Sequence, residues 1–327
     1  MLKEYVLKNQ KLEAHFINVG ASITKLIDLK TGINIIVGHE KIETYQENNL
    51  GYMNSVIGRN SGRITDFTLC GKRYQVSKNI EGIYQLHGGF IGFNTKKFLV
   101  EEGKDWIKFN TTAVDGEEGY PGDVNFSITY KLIDDELHLI YEADTTKKTI
   151  LNFTNHAYFN LNGGPSIDIL NHELYLNADR FLLLDPNLIP HKAESLVNTP
   201  LDFRKKKTIG KDINNDFDQL KIAGGFDHPY LVNKTDKINH IATASSPLTG
   251  IKLDIYSTED VVVFYAGNMM DNSVLVEGGV RGYKHIAFCL ETQGVPNSIN
   301  IPEFKNCNLY GPGEKYYQET IWKIHKQ

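Results

Sequence analysis

Two distant segments carry an imidazole and a carboxylate in apolar surroundings. His156 lies among aromatic residues in the segment FTNHAYFNL, residues 153–161, and Glu291 ends the apolar run IAFCL, residues 286–290. Burial disfavours the charged form of a side chain, so it lowers the pKa of a histidine and raises that of a glutamate. Groups tuned in this way can act as a general acid and a general base near neutral pH. The alternatives are a core histidine with a satisfied hydrogen bond and a strand-end glutamate that faces solvent.

A lone histidine in an apolar run is more often a core residue, but polar neighbours of His156 also point toward a site. A general acid must be protonated when it acts, so a buried His156 would need an acidic partner close by. Asn155 and Asn160 place polar groups on either side of the histidine. Local sequence alone leaves both the acid–base site and the structural alternatives open for His156 and Glu291.

Two glycine-rich segments bring further polar side chains into loops. GRNSGRI, residues 58–64, contains Arg59 and Arg63, and LHGG, residues 86–89, contains His87. Glycine lets the backbone and a ligand approach closely, and a guanidinium group can hold several ligand oxygens at once. Taken alone, GRNSGRI is better interpreted as a turn with two surface arginines, and LHGG can equally be a simple turn.

A third segment, FDHPY at residues 226–230, places a carboxylate beside an imidazole. Neighbouring side chains of an extended chain point to opposite faces, so at most one of Asp227 and His228 faces a ligand. We select Asp227. The alternative is that Asp227 makes a local hydrogen bond in a turn before the proline.

The composition is that of an ordinary globular protein. Hydrophobic residues make up 41% and charged residues 23% of the 327 residues, and the formal net charge is -5. Such a chain can bury a core without a metal or disulfide framework, and its dispersed lysines argue against nucleic-acid binding. No stretch has the roughly 18 consecutive apolar residues of a membrane helix, and the N-terminus lacks an apolar signal core. We expect no membrane association and a cytoplasmic location.

The cysteines do not indicate a metal or redox centre. Cys70, Cys289 and Cys307 are scattered along the chain and form no CxxC pair. Cys289 lies inside an apolar run and is predicted to be a core residue. We therefore expect no bound metal.

A sequence period of two dominates and predicts an all-β protein. Residues 125–132 and 136–141 alternate polar and apolar side chains around an Asp-Asp turn, which predicts an antiparallel hairpin. Further strands are predicted at residues 12–16, 33–37, 106–112, 173–176, 250–256, 261–265 and 285–291. The best helical signal is the short, asparagine-rich segment before Phe217. We expect residues 1–327 to form a single domain, a large antiparallel β-sandwich with few short helices and a concave face for a ligand.

Six of these segments together resemble the aldose 1-epimerase family, the galactose mutarotases. They follow the family's order with comparable spacing and span most of the chain. The matching segments are GRNSGRI (58–64), LHGG (86–89), EGYPGD (118–123), NHAYFNL (155–161), FDHPY (226–230) and ETQGVP (291–296). The resemblance implies a β-supersandwich with an open sugar cleft and an isomerase that interconverts the α and β anomers of a free aldohexose such as galactose or glucose. It implies no cofactor, and we expect a monomer or homodimer.

The resemblance also implies a role for each candidate residue. Glu291 takes the proton from the anomeric hydroxyl and His156 protonates the ring oxygen, so the ring opens. Rotation about the bond between C1 and C2 and reversal of the proton transfers then close the opposite anomer. His87 is a second imidazole near the reacting end, and Arg63 and Asp227 anchor sugar hydroxyls.

Some positions differ from residues that are common in the family, and they leave the preferred aldose open. Asn60 and Ser61 stand where relatives often have small apolar residues, and Gly62 stands where some have asparagine. Val263 occupies a position where some relatives carry a sugar-binding glutamine.

Three other functions remain open at the level of sequence. A glycoside hydrolase would use Asp227 and Glu291 as a carboxylate pair across the scissile bond. A non-catalytic sugar-binding module would need no buried acid and base. An epimerase of phosphorylated sugars would need a basic phosphate cradle, for which only Arg59 and Arg63 are candidates.

Overall fold

Alternating sequence patterns produce long antiparallel strands in one layer of the molecule. The structure, a computed structural model, describes residues 1–326 and contains 28 β-strands, numbered along the chain. The predicted hairpin forms, and Asp134 in its turn has a φ of 52°. The nine strands of this layer are, in spatial order, β10 (Leu99–Glu102), β11 (Trp106–Ala113), β12 (Val124–Ile133), β13 (Glu136–Thr145), β28 (Tyr316–Lys326), β22 (Ile251–Ser257), β21 (Asn239–Ser245), β16 (Glu173–Leu176) and β19 (Lys207–Thr208).

A five-stranded sheet forms the opposing layer. Its strands are, in spatial order, β18 (Pro190–Ser195), β17 (Ala178–Leu184), β20 (Asp227–Val232), β23 (Val261–Tyr265) and β26 (Cys289–Gln293). All neighbouring strands in it are antiparallel. One face of such a sheet can pack on the core while the other stays open to a ligand.

The remaining strands form smaller sheets at the edges of these layers. A four-stranded sheet contains β1 (Glu4–Lys8), β2 (Leu12–Ile17), β3 (Ile23–Asp28) and β4 (Ile33–Asn34). The paired short strands are β5 (Val56–Ile57) with β15 (Thr154–Asn155), β6 (Arg63–Ile64) with β9 (Gln85–Leu86), β7 (Phe67–Leu69) with β8 (Lys72–Tyr74), β14 (Thr149–Ile150) with β27 (Leu309–Tyr310), and β24 (Leu275–Val276) with β25 (Val280–Arg281). The β5–β15 and β6–β9 pairs hold the loops that carry two of the candidate histidines.

Helices are few and short, as expected. The α-helices within residues 1–326 are α1 (Thr44–Glu47) and α2 (Asp218–Ala223). The 3₁₀ turns are Leu50–Tyr52, Phe93–Thr95, Glu117–Gly119, Ile209–Lys211, Glu277–Gly279, Ser298–Asn300 and Pro302–Phe304. None of the helices in this part of the chain has the length and hydropathy required of a membrane span.

A single hydrophobic cluster fills the space between the two large sheets. Leu139 and Trp322 contribute from the nine-stranded sheet, and Tyr230 and Phe264 from the five-stranded sheet. The cluster includes residues of strands from β1 to β28. The fold is therefore the expected antiparallel β-sandwich, and we propose that residues 1–326 form one domain because they share this core.

The predicted strand at residues 285–291 is shorter than expected. Pairing with β23 begins only at Cys289. His285 has a φ of 69°, and its N–H donates to the carbonyl oxygen of Gly267 at 3.1 Å. A non-glycine residue in the left-handed region ends an extended run, so the apolar residues before Cys289 lie in a buried loop.

Two other local predictions are also corrected. The strand predicted at residues 33–37 pairs with β3 only over Ile33–Asn34, since the Asn34 side chain takes up the N–H groups of Leu26 and Ile36. The helix predicted before Phe217 lies after it, in α2, which ends where Gly224 adopts a φ of 66°. Asparagine and aspartate side chains compete with the helical backbone, and the segment before Phe217 accordingly forms turns.

Candidate active site

A cavity of about 350 Å³ lies on the face of the five-stranded sheet that points away from the nine-stranded sheet. This volume is typical of small-molecule sites. The residues selected from sequence all line it: Arg63, His87, His156, Asp227 and Glu291. Folding therefore brings five separate parts of the chain together around one space.

Strand alternation decides which side chains of β20 reach this cavity. Asp227 pairs in register with Tyr265, and both line the cavity. His228 is fully buried and packs against the ring of Phe181. Successive side chains of a strand point to opposite faces, so only one of these neighbours can face the cavity. That residue is Asp227, the one selected from the sequence.

Glu291 is almost fully buried in the cavity wall, with 3% of its surface exposed. Its Oε1 lies 3.7 Å from Nε2 of His156, and its Oε2 has no hydrogen-bond partner among residues 1–326. Burial raises the pKa of Glu291 well above its usual value, and Asp227 adds to the rise while Arg63 opposes it. A carboxyl with a raised pKa can accept and release a proton near neutral pH.

His156 is fixed by its backbone and by aromatic neighbours. Its N–H donates to the carbonyl oxygen of Ser55 at 3.0 Å, and its own carbonyl accepts from the N–H of Asn54 at 2.9 Å. The ring of Tyr158 stacks on the imidazole at a centroid distance of 5.1 Å, and the ring of Tyr52 is nearly parallel at 6.3 Å. Burial lowers the pKa of His156 to about 4. The protonated imidazole is therefore a strong proton donor in a defined orientation.

His87 is held in one protonation form by the backbone. The N–H of Gly62 donates to Nδ1 of His87 at 3.2 Å. A ring nitrogen that accepts a hydrogen bond carries no proton, so neutral His87 has its proton on Nε2. Burial and the nearby His156 lower the pKa of His87 well below its usual value. His87 is thus a neutral donor that can offer Nε2–H to a ligand oxygen.

The loop that follows His87 depends on glycine and on a distant carboxylate. Gly88 has a φ of 88°, and a Cβ at this position would lie 2.0 Å from the carbonyl oxygen of Gly58. Glu118, in the EGYPGD segment, accepts a hydrogen bond from the N–H of Ile91 at 2.7 Å. Glu118 therefore braces the loop that positions His87.

The arginines of the GRNSGRI segment have different environments. Nη2 of Arg63 lies 3.3 Å from Oδ2 of Asp227, and both side chains are largely buried at the cavity. The guanidinium of Arg59 instead donates to the carbonyl oxygens of Pro121 and Gly122 at 3.0 and 2.8 Å. Arg63 can contact a ligand, whereas Arg59 joins two loops outside the cavity.

The sequence pattern of the family described as aldose 1-epimerase matches residues 3–323, nearly the whole chain. The chain belongs to the aldose 1-epimerase family. The galactose mutarotase of Rattus norvegicus is 34% identical over 329 residues, which cover 99% of this chain and 94% of that protein. The aldose 1-epimerase of Haemophilus influenzae is 34% identical over 294 residues, which cover 87% of this chain and 84% of that protein.

Solved structures of aldose epimerases share the fold along the full chain. A galactose 1-epimerase from Lactobacillus acidophilus superposes with a TM-score of 0.87 at 28% identity, covering 99% of this chain and 95% of that one. An aldose epimerase homologue from C. elegans gives a TM-score of 0.88 at 25% identity, covering 100% and 99%. The β-supersandwich expected from the sequence motifs is confirmed.

The cavity also contains a group of potential metal ligands. His87, His156 and Glu291 each offer one ligand atom, and these atoms lie within 4.8 Å of one another. A histidine binds a metal through a ring nitrogen without a proton. Because Nδ1 of His87 already accepts from Gly62, the ring proton stays on Nε2. The three side chains therefore fit proton transfer better than metal coordination.

Tyr52 and Gln293 are among the cavity residues that were not selected from the sequence. Tyr52 lines the cavity, and its ring centroid lies 4.7 Å from that of His87. Gln293 also lines it, and its Oε1 accepts a hydrogen bond from the hydroxyl of Ser61 at 2.7 Å. Tyr52 lies in a loop without a distinctive pattern, whereas Gln293 belongs to the ETQ segment and could have been selected with Glu291.

The asparagines that flank His156 do not face the cavity. The amide of Asn155 donates to the hydroxyl of Tyr130 at 3.1 Å, and that of Asn160 donates to the carbonyl oxygen of Ile286 at 2.8 Å. Both amides satisfy buried polar groups around the histidine. These hydrogen bonds hold the backbone on either side of His156, and neither asparagine lines the cavity.

Proposed function

We propose that this protein is an aldose 1-epimerase that interconverts the α and β anomers of a free aldohexose such as galactose or glucose. The observation that carries the proposal is the pair of Glu291 Oε1 and His156 Nε2, 3.7 Å apart in a cavity wall. The anomeric hydroxyl and the ring oxygen are bonded to the same carbon, so the groups that serve them must lie close together. Membership of the aldose 1-epimerase family supports the same reaction.

The reaction needs only a base and an acid. Glu291 removes the proton from the anomeric hydroxyl, the O1 lone pair forms the C1=O1 double bond, and the bond from C1 to the ring oxygen breaks. The ring oxygen keeps that electron pair and takes a proton from Nε2 of His156. Rotation about C1–C2 presents the other face of the carbonyl, and the reverse transfers close the other anomer. Each transfer by a positioned group contributes roughly 10² to 10⁴ in rate.

Sugar binding sets the position of the proton within the pair. In the cavity without sugar, burial favours a proton on Glu291 and a neutral His156, because it raises the pKa of the first and lowers that of the second to about 4. A sugar hydroxyl that donates to the unpartnered Oε2 of Glu291 stabilises the carboxylate. Sugar binding therefore shifts the proton from Glu291 to His156, and the total charge of these two side chains does not change.

The other cavity residues hold the sugar against this pair. Arg63 and Asp227 form an ion pair at 3.3 Å and can donate to and accept from neighbouring hydroxyls. His87 donates Nε2–H to an oxygen at the reacting end. The ion pair with Arg63 favours the ionised form of Asp227. An ionised Asp227 can accept a hydrogen bond from a sugar hydroxyl but cannot serve as the acid of a glycoside hydrolase.

Polarimetry tests the proposal directly. Freshly dissolved α-galactose and α-glucose should reach their equilibrium rotation faster with the protein than in buffer alone. Methyl α-galactoside is the matched control, because its anomeric oxygen has no proton for Glu291 to remove. The proposal is wrong if no common aldose equilibrates faster, and release of galactose from the methyl galactoside would indicate glycoside cleavage instead.

A further inference from the structure

A cysteine lies directly behind the candidate acid. Cys289 is fully buried, and its Sγ lies 3.4 Å from Nδ1 of His156. It is two residues before Glu291 on β26, and it pairs in register with Tyr265. The same strand therefore supplies the carboxylate at one nitrogen of His156 and the sulfur at the other.

The two ring nitrogens of His156 thus have different partners. Nε2 lies 3.7 Å from Oε1 of Glu291, and Nδ1 faces Sγ of Cys289. Burial raises the pKa of Cys289 well above its usual value, and Glu291 adds to the rise. Cys289 is therefore a neutral thiol, which can accept a hydrogen bond weakly or donate one weakly.

We propose that Cys289 is a positioning residue for His156: its sulfur accepts a hydrogen bond from Nδ1–H, so that Nε2 is the nitrogen that delivers and recovers the proton. The inference rests on the proposed function for its consequence in the reaction. The hydrogen bond itself is a property of the protein without sugar.

The reaction requires this arrangement of protons on His156. The imidazolium carries protons on both nitrogens, and after Nε2 protonates the ring oxygen only Nδ1–H remains. If the ring proton moved to Nε2, the nitrogen in the cavity could not take the proton back for ring closure. An acceptor at Nδ1 prevents this loss, because it stabilises the productive tautomer.

A thiol is suited to the position because it is a weak acceptor. A carboxylate at Nδ1 would stabilise the imidazolium and make His156 a weaker acid. Sulfur is a weaker acceptor than a carboxylate, and burial lowers the pKa of His156 to about 4, which favours transfer to a ring oxygen of low basicity. The titratable or charged groups around His156 are Tyr52, Arg63, His87, Tyr158, Tyr265, Cys289 and Glu291.

Nitrogen NMR of the protein without sugar tests the hydrogen bond directly. With ¹⁵N-labelled histidine at neutral pH, the signal that disappears in His156→Gln should show a protonated Nδ1 and an unprotonated Nε2. Cys289→Ala should abolish this preference. A wild-type His156 with the proton on Nε2 overturns the proposal, whether or not the protein turns over a sugar.

Kinetics of two variants separate positioning from packing. Cys289→Ala should lower kcat about tenfold, the effect of one lost hydrogen bond, with KM nearly unchanged. Cys289→Ser should restore much of kcat and move the acidic limb of kcat/KM to higher pH, because a hydroxyl oxygen accepts more strongly than sulfur. Cys307→Ser, at a half-buried cysteine outside the cavity, is the control and should leave kcat and the acidic limb unchanged. Equal losses in both Cys289 variants with an unmoved acidic limb would overturn the proposal and assign Cys289 to packing.

Discussion

Two clusters with the same residue types, two histidines and a carboxylate, lie on the outer faces of the two large sheets. The site cluster consists of His87, His156 and Glu291, and the sheet cluster consists of His240, Asp254 and His325. The carboxylates of both clusters belong to residues with less than 5% of their surface exposed, at 3% for Glu291 and 4% for Asp254. Residue type and burial alone do not distinguish them.

In the sheet cluster, both carboxylate oxygens of Asp254 have hydrogen-bond partners. Oδ2 of Asp254 lies 2.8 Å from Nε2 of His325 and 3.0 Å from Nζ of Lys252, and Oδ1 accepts from the hydroxyl of Thr243 at 2.5 Å. Burial alone would raise the pKa of Asp254, but these hydrogen bonds and that of His240 lower it below its usual value. Asp254 is therefore held as a carboxylate and has no capacity to take up a proton near neutral pH.

The site cluster leaves its carboxylate unsatisfied. Oε2 of Glu291 has no hydrogen-bond partner in the described part of the chain, and Oε1 lies 3.7 Å from Nε2 of His156, beyond normal hydrogen-bond length. Its pKa is raised instead of lowered. The two carboxylates thus differ in their hydrogen-bond partners and not in residue type or burial, and we propose that the unsatisfied one, Glu291, is the group that exchanges a proton.

The largest expected effect is on turnover when each carboxylate is replaced by its amide. Glu291→Gln should lower kcat by roughly 10² to 10⁴, because an amide cannot accept the proton of the anomeric hydroxyl. Sugar binding should persist, since Arg63, Asp227 and His87 remain. Polarimetry measures turnover, and calorimetric titration with galactose measures binding.

Asp254→Asn is the matched control in the sheet cluster. It should leave kcat and KM unchanged, because Asp254 lies on the other sheet and does not line the cavity. Equal losses of kcat in the two variants would contradict the distinction between the clusters.

The site cluster should also determine the pH dependence of the reaction. The value of kcat/KM reports the free enzyme. Its acidic limb should lie near pH 4, where His156 takes up a second ring proton while Glu291 is still protonated. Its alkaline limb should follow the ionisation of Glu291, whose pKa is raised, because the proton shared with Nε2 of His156 is then lost. Rates measured across pH in wild type and Asp254→Asn should share both limbs, and a profile without an acidic limb would contradict the assignment of His156.

Local patterns predict the strands well but not the contacts between them. The strands predicted at residues 173–176 and 261–265 are β16 and β23 with their observed bounds. Alternation also predicts that at most one of Asp227 and His228 faces a ligand, and the structure has Asp227 at the cavity and His228 in the core. Strand bounds and side-chain alternation depend on residues close in sequence, so a single sequence is enough to predict them.

The contacts that define the site join distant residues. Cys289 meets His156 across 133 positions, and nothing in its apolar run distinguishes it from an ordinary core residue. Asn155 and Asn160 show the converse, since polar neighbours suggest a site but their amides satisfy buried groups. Contacts with residues distant in the sequence decide both cases, and the roles assigned to the cavity residues stay predictions.

The smallest expected effect is on stability, and it should have opposite signs in the two clusters. The pKa of Asp254 is lowered in the folded protein, so its carboxylate stabilises the fold above the pKa of the unfolded chain, and this contribution is lost as pH falls. Asp254→Asn should therefore reduce the free energy of unfolding at pH 7 by about 1 kcal/mol after solvent screening. The pKa of Glu291 is raised, so the unfolded chain ionises first and stability falls as pH rises above about 4.5.

Glu291→Gln removes that ionisable group and should increase the free energy of unfolding at pH 7 by about 1–2 kcal/mol. Below the pKa of an unfolded glutamate the gain should vanish, because both states are then protonated. Urea unfolding of wild type and the two amide variants at acidic and neutral pH measures these differences. A loss of stability in Glu291→Gln at neutral pH would show that partners satisfy its carboxylate as they do that of Asp254, and the two clusters would then differ only in position.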